Sequence, residues 1–269
     1  MKILSLFDGI SCARVALEKV AIPITKYYAS EIDKNAIAVA MKNYPDTIQL
    51  GDVKTITKDL IASYMGNVEI DLMIGGSPCQ DLSIAQKNRK GLDGERSGLF
   101  WEYVRILKEM KPKWFILENV ASMSKEAKEV ITKELGVEPI MINAALVSAQ
   151  NRKRLFWTNI PNVSQPDDRG IFLKDILEPS VDDTFTVRPK SNTVRSSGRG
   201  SGIDNKRNWD TIRLSENEII RKLTPVECER LQSLPDNYTE GISNTQRYKA
   251  LGNAFNVEVV AHILKGIVN

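Results

Sequence analysis

Histidine is almost absent from this chain. Its 269 residues include one, His262, and only three cysteines, Cys12, Cys79 and Cys228, set far apart. So few ligand-type residues argue against a clustered Cys/His zinc site, and their separation argues for a reducing compartment rather than a disulfide framework. No apolar run approaches the roughly 20 residues needed to span a bilayer. Met1 to Phe7 carries one charge and runs straight into a loop, which predicts a first strand and not a signal peptide. The expectation is a soluble, cytoplasmic protein. An excess of one charge sign is missing too: 37 basic against 34 acidic residues leave a net +3. Such a balance neither demands nor excludes nucleic acid, so the distribution of charge has to decide. One absence is local. The loop Phe7-Asp8-Gly9-Ile10-Ser11-Cys12 has one glycine where a dinucleotide fingerprint has three, so the phosphate cradle is missing.

What is present is an alternation of strand and helix patterns through the first 160 residues. Strands are expected at 2–7, 25–30, 47–50, 70–74, 114–117, 139–143 and 155–158. Helices are expected at 12–20, 34–44, 57–65, 99–110 and 125–135. This order implies an α/β fold with a largely parallel sheet between helices. From Pro161 to about Glu218 the pattern is irregular, and that stretch reads as a small inserted lobe. Thr224-Pro225-Val226-Glu227 then predicts a capped helix start, followed by helices over 245–251 and 257–267. The expected organisation is a core over 1–160, a lobe over 161–218 and helices returning to the core over 219–269.

The chemistry-bearing stretch is Gly75-Gly76-Ser77-Pro78-Cys79-Gln80, at the carboxyl end of the fourth predicted strand, where open α/β sheets place their ligands. A thiol on a turn stiffened by proline suits a covalent nucleophile, although a small apolar core cysteine has the same composition. Glu31 lies 22 positions beyond Gly9, where an acid grips ribose hydroxyls, and Asp52 follows the third strand, within reach of an adenine amino group. The plainer alternative is that both are solvated strand-end acids. Ribose and adenine handles without a pyrophosphate cradle point to an adenosyl ligand such as S-adenosylmethionine.

In order and wording these stretches resemble the cytosine-5 DNA methyltransferases. Phe7-Asp8-Gly9 is similar to the first cofactor motif, and Pro78-Cys79-Gln80 to the nucleophile motif. Glu118-Asn119-Val120 is similar to the acid motif, and Gln150-Asn151-Arg152-Lys153-Arg154 to the glutamine and paired-arginine motif. Arg221 to Pro235 resembles the scaffold after the target-recognition region, and Gly252-Asn253-Ala254 the final cofactor motif. Asp81-Leu82-Ser83-Ile84 with Arg89-Lys90-Gly91-Leu92, and the short insert, also resemble the animal de novo branch. Ser11 stands where the commoner bacterial sequence has glycine. The resemblance implies a Rossmann-like class I S-adenosylmethionine-dependent methyltransferase fold with an irregular target-recognition lobe, in an enzyme of bacterial or phage type. It implies Cys79, Glu118, Arg152 and Arg154 as catalytic residues. It places the cofactor against Phe7, Asp8, Gly9, Ile10, Glu31, Ile32, Asp52, Val53, Gly75, Pro78, Leu99 and Asn253. It places double-stranded DNA against Gln80, Ser83, Arg89, Arg188, Arg195, Arg199, Lys206 and Arg207. A cognate restriction endonuclease sharing the target sequence is a further partner it allows; no metal is implied.

The residues suit that chemistry. Carbon 5 of cytosine is a poor nucleophile until a thiolate adds at carbon 6, and an acid at N3 stabilises the adduct; Cys79 and Glu118 fit these roles. Arg152 and Arg154, two apart, are expected on one face of an extended segment, one orienting Glu118 and holding the cytosine carbonyl, the other supporting the pocket or a backbone phosphate. Asn119 is expected to brace the nucleophile loop. The target base must leave the duplex, and the charged, glycine-bearing stretch 80–98, with Lys87, Arg89, Lys90 and Arg96, could close over it. Segment 188–213 holds seven basic residues against Asp204 and Asp210, an excess larger than the whole chain's, so the basic footprint lies in the insert. Cys12 and Cys228 are expected to be packing residues, and His262 to sit on a helix flank. A zinc cytidine deaminase needs a cysteine at position 82, which is leucine. A nicotinamide oxidoreductase needs the missing glycines. A tRNA cytosine methyltransferase shares the catalytic parts, and the basic insert and the 81–83 loop favour DNA. A non-catalytic DNA-binding relative would have lost Cys79, Glu118 or the arginines, and all are present.

Overall fold

The structure is a computed structural model that describes residues 1–66, 69–78, 98–179, 188–196, 211–213 and 219–268. Its centre is β1 (Lys2–Leu6), flanked by β2 (Lys26–Ser30) and β4 (Leu72–Gly75), all parallel. These strands are apolar on both faces because helices cover both. With β3 (Ile48–Gln49), β5 (Trp114–Val120), β6 (Ile140–Asn143) and β7 (Lys153–Thr158), the sheet runs β3-β2-β1-β4-β5-β7-β6. Successive strand residues feed opposite layers. Ile3, Leu72, Ile74 and Ile116 pack with α1 (Cys12–Lys19), α2 (Lys34–Asn43) and α8 (Val257–Val268). Leu4, Leu6, Met73 and Leu117 pack with α3 (Lys58–Met65), α4 (Leu99–Met110) and α5 (Lys125–Leu135). The result is the expected α/β sandwich.

Local signals explain where helices start. Asp33 caps α2 by accepting from Asn35 and Ala36, Thr57 caps α3, and Ser124 caps α5. The capping box at Thr224 and Glu227 opens α6 (Pro225–Leu231). α7 (Asn244–Asn253) and α8 then return to the core.

Three expectations change. β7 is antiparallel to both neighbours, so the sheet is mixed at that edge. Only nine residues join β6 to β7, too few for a crossover helix, so the chain has to turn back. The fourth strand starts at Leu72 and takes in Gly75, rather than running over 70–74. The insert is not wholly irregular: it contains a 3₁₀ turn, Leu173–Ile176, and β8 (Thr211–Arg213), which pairs antiparallel with β9 (Ile219–Lys222) just beyond it. Strands of three or four residues show too little alternation to be read from sequence. Among the described residues, no helix is long and apolar enough to cross a membrane.

Candidate active site

The carboxyl ends of β1, β2, β4 and β5 converge on one edge of the sheet. The turn after β1 is unusual: Phe7, Gly9 and Ser11 have φ of 56°, 60° and 61°. A non-glycine residue there costs on the order of 1 kcal/mol or more. Ser11 offsets its share, since its Oγ donates to the buried Asp8 carboxylate at 2.5 Å. That contact gives a physical reason for serine at a position with positive φ. Tyr27 Oη donates to the other Asp8 oxygen at 2.7 Å. The Asp8 side chain is thus directed into the protein, and its backbone is what lies in the turn.

Burial pushes the Asp8 carboxyl up, and the hydrogen bonds from Ser11 and Tyr27 only partly hold it down. A raised native pKa means the folded chain holds this proton more tightly than the unfolded one. Stability from Asp8 is therefore lost as pH rises above the ordinary carboxylate range and through the raised value. Asp8→Asn removes that loss. Its melting temperature is expected to gain on the wild type as pH climbs from about 4 toward neutrality. A gap independent of pH would contradict this account.

Glu31, at the end of β2, accepts from Gly9 N at 2.8 Å through one oxygen, and from Ile32 N and Asp33 N through the other. Ile32 beside it is 70% exposed, an apolar side chain turned to solvent. Asp52 caps the short turn Val53–Thr55 and is exposed, while Val53 is buried. Ser30 Oγ donates to Gly51 O at 2.8 Å and ties the two strand ends together. Two acids with an exposed aliphatic residue between them fit a nucleoside, and the single glycine leaves no cradle for phosphate. The residues therefore fit S-adenosylmethionine. Gly75 and Pro78 lie at and just beyond the end of β4, Leu99 begins α4, and Asn253 is exposed at the end of α7.

The catalytic candidates gather at β5. Glu118 Oε1 lies 2.6 Å from Arg154 Nε, with both side chains largely buried. Glu118 pairs with Phe156 across the antiparallel ladder, so Arg154, two residues along, meets it on the same face. A Cβ on Gly76 would lie 3.1 Å from Glu118 Oε2 and 2.8 Å from the Phe255 ring, so this close approach needs glycine. Asn119 donates to Ser77 Oγ at 3.2 Å and to its carbonyl, as expected of a brace for the nucleophile loop. A cleft with room for about one water lies behind Glu118, lined by Arg152, Arg154, Phe156 and Phe255.

The two arginines divide their roles. β7 starts at Lys153, and Arg152 is buried, donating to the carbonyls of Val194, Gly252 and Ala254. The ion pair with Glu118 belongs to Arg154. Lys190, counted in the basic footprint, donates to the carbonyls of Ala145, Ser148 and Ile171, so its charge is turned inward. Arg195 is exposed and Arg188 half-exposed. Cys79, Gln80, Ser83 and Arg89, with the rest of the 80–98 loop up to residue 97, lie outside the described residues. So do Arg199, Lys206 and Arg207. Cys12 and Cys228 are buried, with burial pushing the Cys12 thiol up, and His262 contacts Ser164 O at 2.8 Å on the flank of α8. Sequence reasoning missed Tyr27 and Phe255, which no local pattern marks, and named no role for Gln232 within the Arg221 to Pro235 stretch; each acts on residues remote in the chain.

The family model for C-5 cytosine-specific DNA methylase matches residues 1–169 and 168–269. The chain belongs to that family. Type II methyltransferase M1.ScrFI of Lactococcus lactis subsp. cremoris is 31% identical, covering 96% of this chain and 76% of its own. Type II methyltransferase M.HhaI of Haemophilus parahaemolyticus is 27% identical over 99% and 94%. Among solved structures, Entamoeba histolytica methyltransferase EhMeth superposes with a TM-score of 0.76 at 16% identity, over 99% of this chain and 97% of its own. A Spodoptera frugiperda DNMT2 variant gives 0.71 at 20%, over 100% and 99%. The fold is that of the class I methyltransferases. This C-5 cytosine methyltransferase catalyses S-adenosylmethionine-dependent methylation of cytosine carbon 5 in DNA.

Proposed function

We propose that Cys79 is the nucleophile and Glu118 the acid of this reaction. The carrying observation is the Glu118–Arg154 pair, set against Gly76 three residues before Cys79. The Cys79 thiolate forms a bond to carbon 6 of a flipped cytosine, and electron density moves toward N3, where Glu118 donates. Arg154 orients Glu118 and reaches toward the cytosine carbonyl. S-adenosylmethionine, when bound, supplies the electrophilic methyl group that carbon 5 captures. Transfer of the carbon-5 proton to a bound water, with the sulfur–carbon bond electrons leaving on Cys79, then restores the aromatic ring and frees the thiolate.

Glu31 holds the ribose hydroxyls and Asp52 the adenine amino group, with Ile32 and Val53 against the adenine. The backbone of Phe7, Asp8, Gly9 and Ile10 follows the ligand; Gly75, Pro78, Leu99 and Asn253 surround its amino-acid end. Gln80, Ser83 and Arg89 contact DNA from the nucleophile side. Arg188, Arg195, Arg199, Lys206 and Arg207 do so from a recognition lobe over 161–218, between a core over 1–160 and returning helices over 219–269. A restriction endonuclease with the same target is the partner this reading allows. Bisulfite sequencing of a plasmid that carries the gene tests it. Methylation confined to one short sequence is expected, and a plasmid without 5-methylcytosine would overturn it.

A further inference from the structure

Residues 191–196 of the insert meet the chain just before β7 at a buried polar cluster. Gln150 and Gln232 are fully buried, and Arg152 is 3% exposed. Gln150 Oε1 accepts from Val194 N at 3.0 Å; its Nε2 donates to Leu231 O at 2.9 Å and Gln232 Oε1 at 3.3 Å. Gln232 Nε2 donates to Leu251 O at 2.7 Å. Arg152 Nη1 donates to Val194 O at 3.0 Å, and Nη2 to Gly252 O and Ala254 O at 3.1 and 2.8 Å. Both backbone groups of Val194 are thus held, the N–H by Gln150 and the carbonyl by Arg152.

Further bonds seat the same segment. Ser191 N donates to Ala149 O at 2.7 Å, and Asn151 N to Ser191 O at 2.8 Å. On its other side, a Cβ on Gly252 would lie 2.1 Å from Ser196 N, so the main chain of residues 195–196 rests directly on the end of α7. Arg154, which holds Glu118, is two residues beyond Arg152.

We propose that Gln150, Arg152 and Gln232 are positioning residues. They lock the chain that carries the recognition lobe to the start of β7, so that Arg154 is aligned on Glu118 only while that segment is docked. Burying a guanidinium costs desolvation, and hydrogen bonds to carbonyls of two separate segments return a fixed geometry rather than net stability. The arrangement makes catalysis depend on seating of the lobe, and it rests on the reading of Glu118 and Arg154 given above.

The test uses the full chain with plasmid DNA, comparing Arg152→Lys, Gly252→Ala and the double variant. Methyl transfer, KM for DNA and cofactor, and melting temperature are measured together. A misplacement of about 1 Å at reacting groups costs about 10²-fold, and that fall in kcat is expected for each single variant. The fall in kcat should exceed any rise in KM for DNA or cofactor. The double variant should be no slower than the slower single one, because both open the same joint. If Arg152→Lys does not fold, Gln150→Asn, which gives up the bonds to Val194 and Leu231, carries the same expectation. A folded variant with wild-type kcat, multiplying losses in the double variant, or a loss confined to cofactor KM would each overturn the proposal. Wild-type protein that methylates no plasmid DNA would overturn the reading of the active site instead.

Discussion

Cys79→Ala is expected to abolish methyl transfer while cofactor binding stays within a few-fold of wild type. The argument is chemical. Carbon 5 cannot attack a methyl group until the aromatic ring is broken, and of the ways to break it the sequence offers a thiolate on a proline-stiffened turn. Without addition at carbon 6, a fall on the order of 10⁴-fold or more is expected, about 5.5 kcal/mol of barrier. The proposed cofactor contacts, Glu31 and Asp52, lie at the ends of other strands and do not depend on the thiol. Wild type should also form a covalent conjugate with DNA containing 5-fluorocytosine, since the fluorine cannot leave as a proton does. Mass spectrometry should place that conjugate on Cys79. Retained turnover in the alanine variant, or a conjugate elsewhere, would refute the assignment.

Glu118→Gln is the second large effect. Glutamine has the shape of the acid and can still accept from Arg154, so the cleft should keep its form, with stability within about 1 kcal/mol. What it cannot do is deliver a proton to N3. A positioned general acid contributes about 10²–10⁴-fold, and kcat is expected to fall in that range with KM for the cofactor little changed. Arg154→Lys should show a related loss, because an ammonium cannot reproduce the planar guanidinium contact made at 2.6 Å. Pre-steady-state measurement of adduct formation separates the two steps. If Glu118→Gln forms the adduct at the wild-type rate and only later steps slow, Glu118 acts after addition and not in it.

The strands and helices of the core were legible because their physics is local. A strand buried on both faces must be largely apolar, as Leu72 to Ile74 is throughout and Ile3 to Leu6 is but for the buried Ser5. A helix start needs acceptors for its free N–H groups, as Asp33, Thr57, Ser124 and Thr224 supply. The direction of β7 was not legible, since a strand pattern is the same read in either sense. The hairpin β8–β9 escaped because its strands are too short to alternate. Within the site, Glu118 and Asn119 could be placed from their motif, and the Asn119 brace on Ser77 is in the structure. The division of labour between the arginines could not. Two residues apart on an extended chain implies one face, yet the strand begins after Arg152, and that side chain leaves for carbonyls 100 and 102 positions away. Lys190 is a similar case: its charge suggests DNA, and three carbonyls surround its ammonium.

Composition and order make this chain an α/β protein, and its motifs set a candidate thiol, a candidate acid and two candidate adenosyl contacts at successive strand ends. Chemistry dictates those residue types, and connectivity dictates their sequence. The tertiary structure decided which guanidinium meets the acid, which glycine the acid needs beside it, and which basic residues turn inward. Those outcomes depend on cross-strand register and on main-chain carbonyls delivered by distant segments, and neither is written in any local pattern.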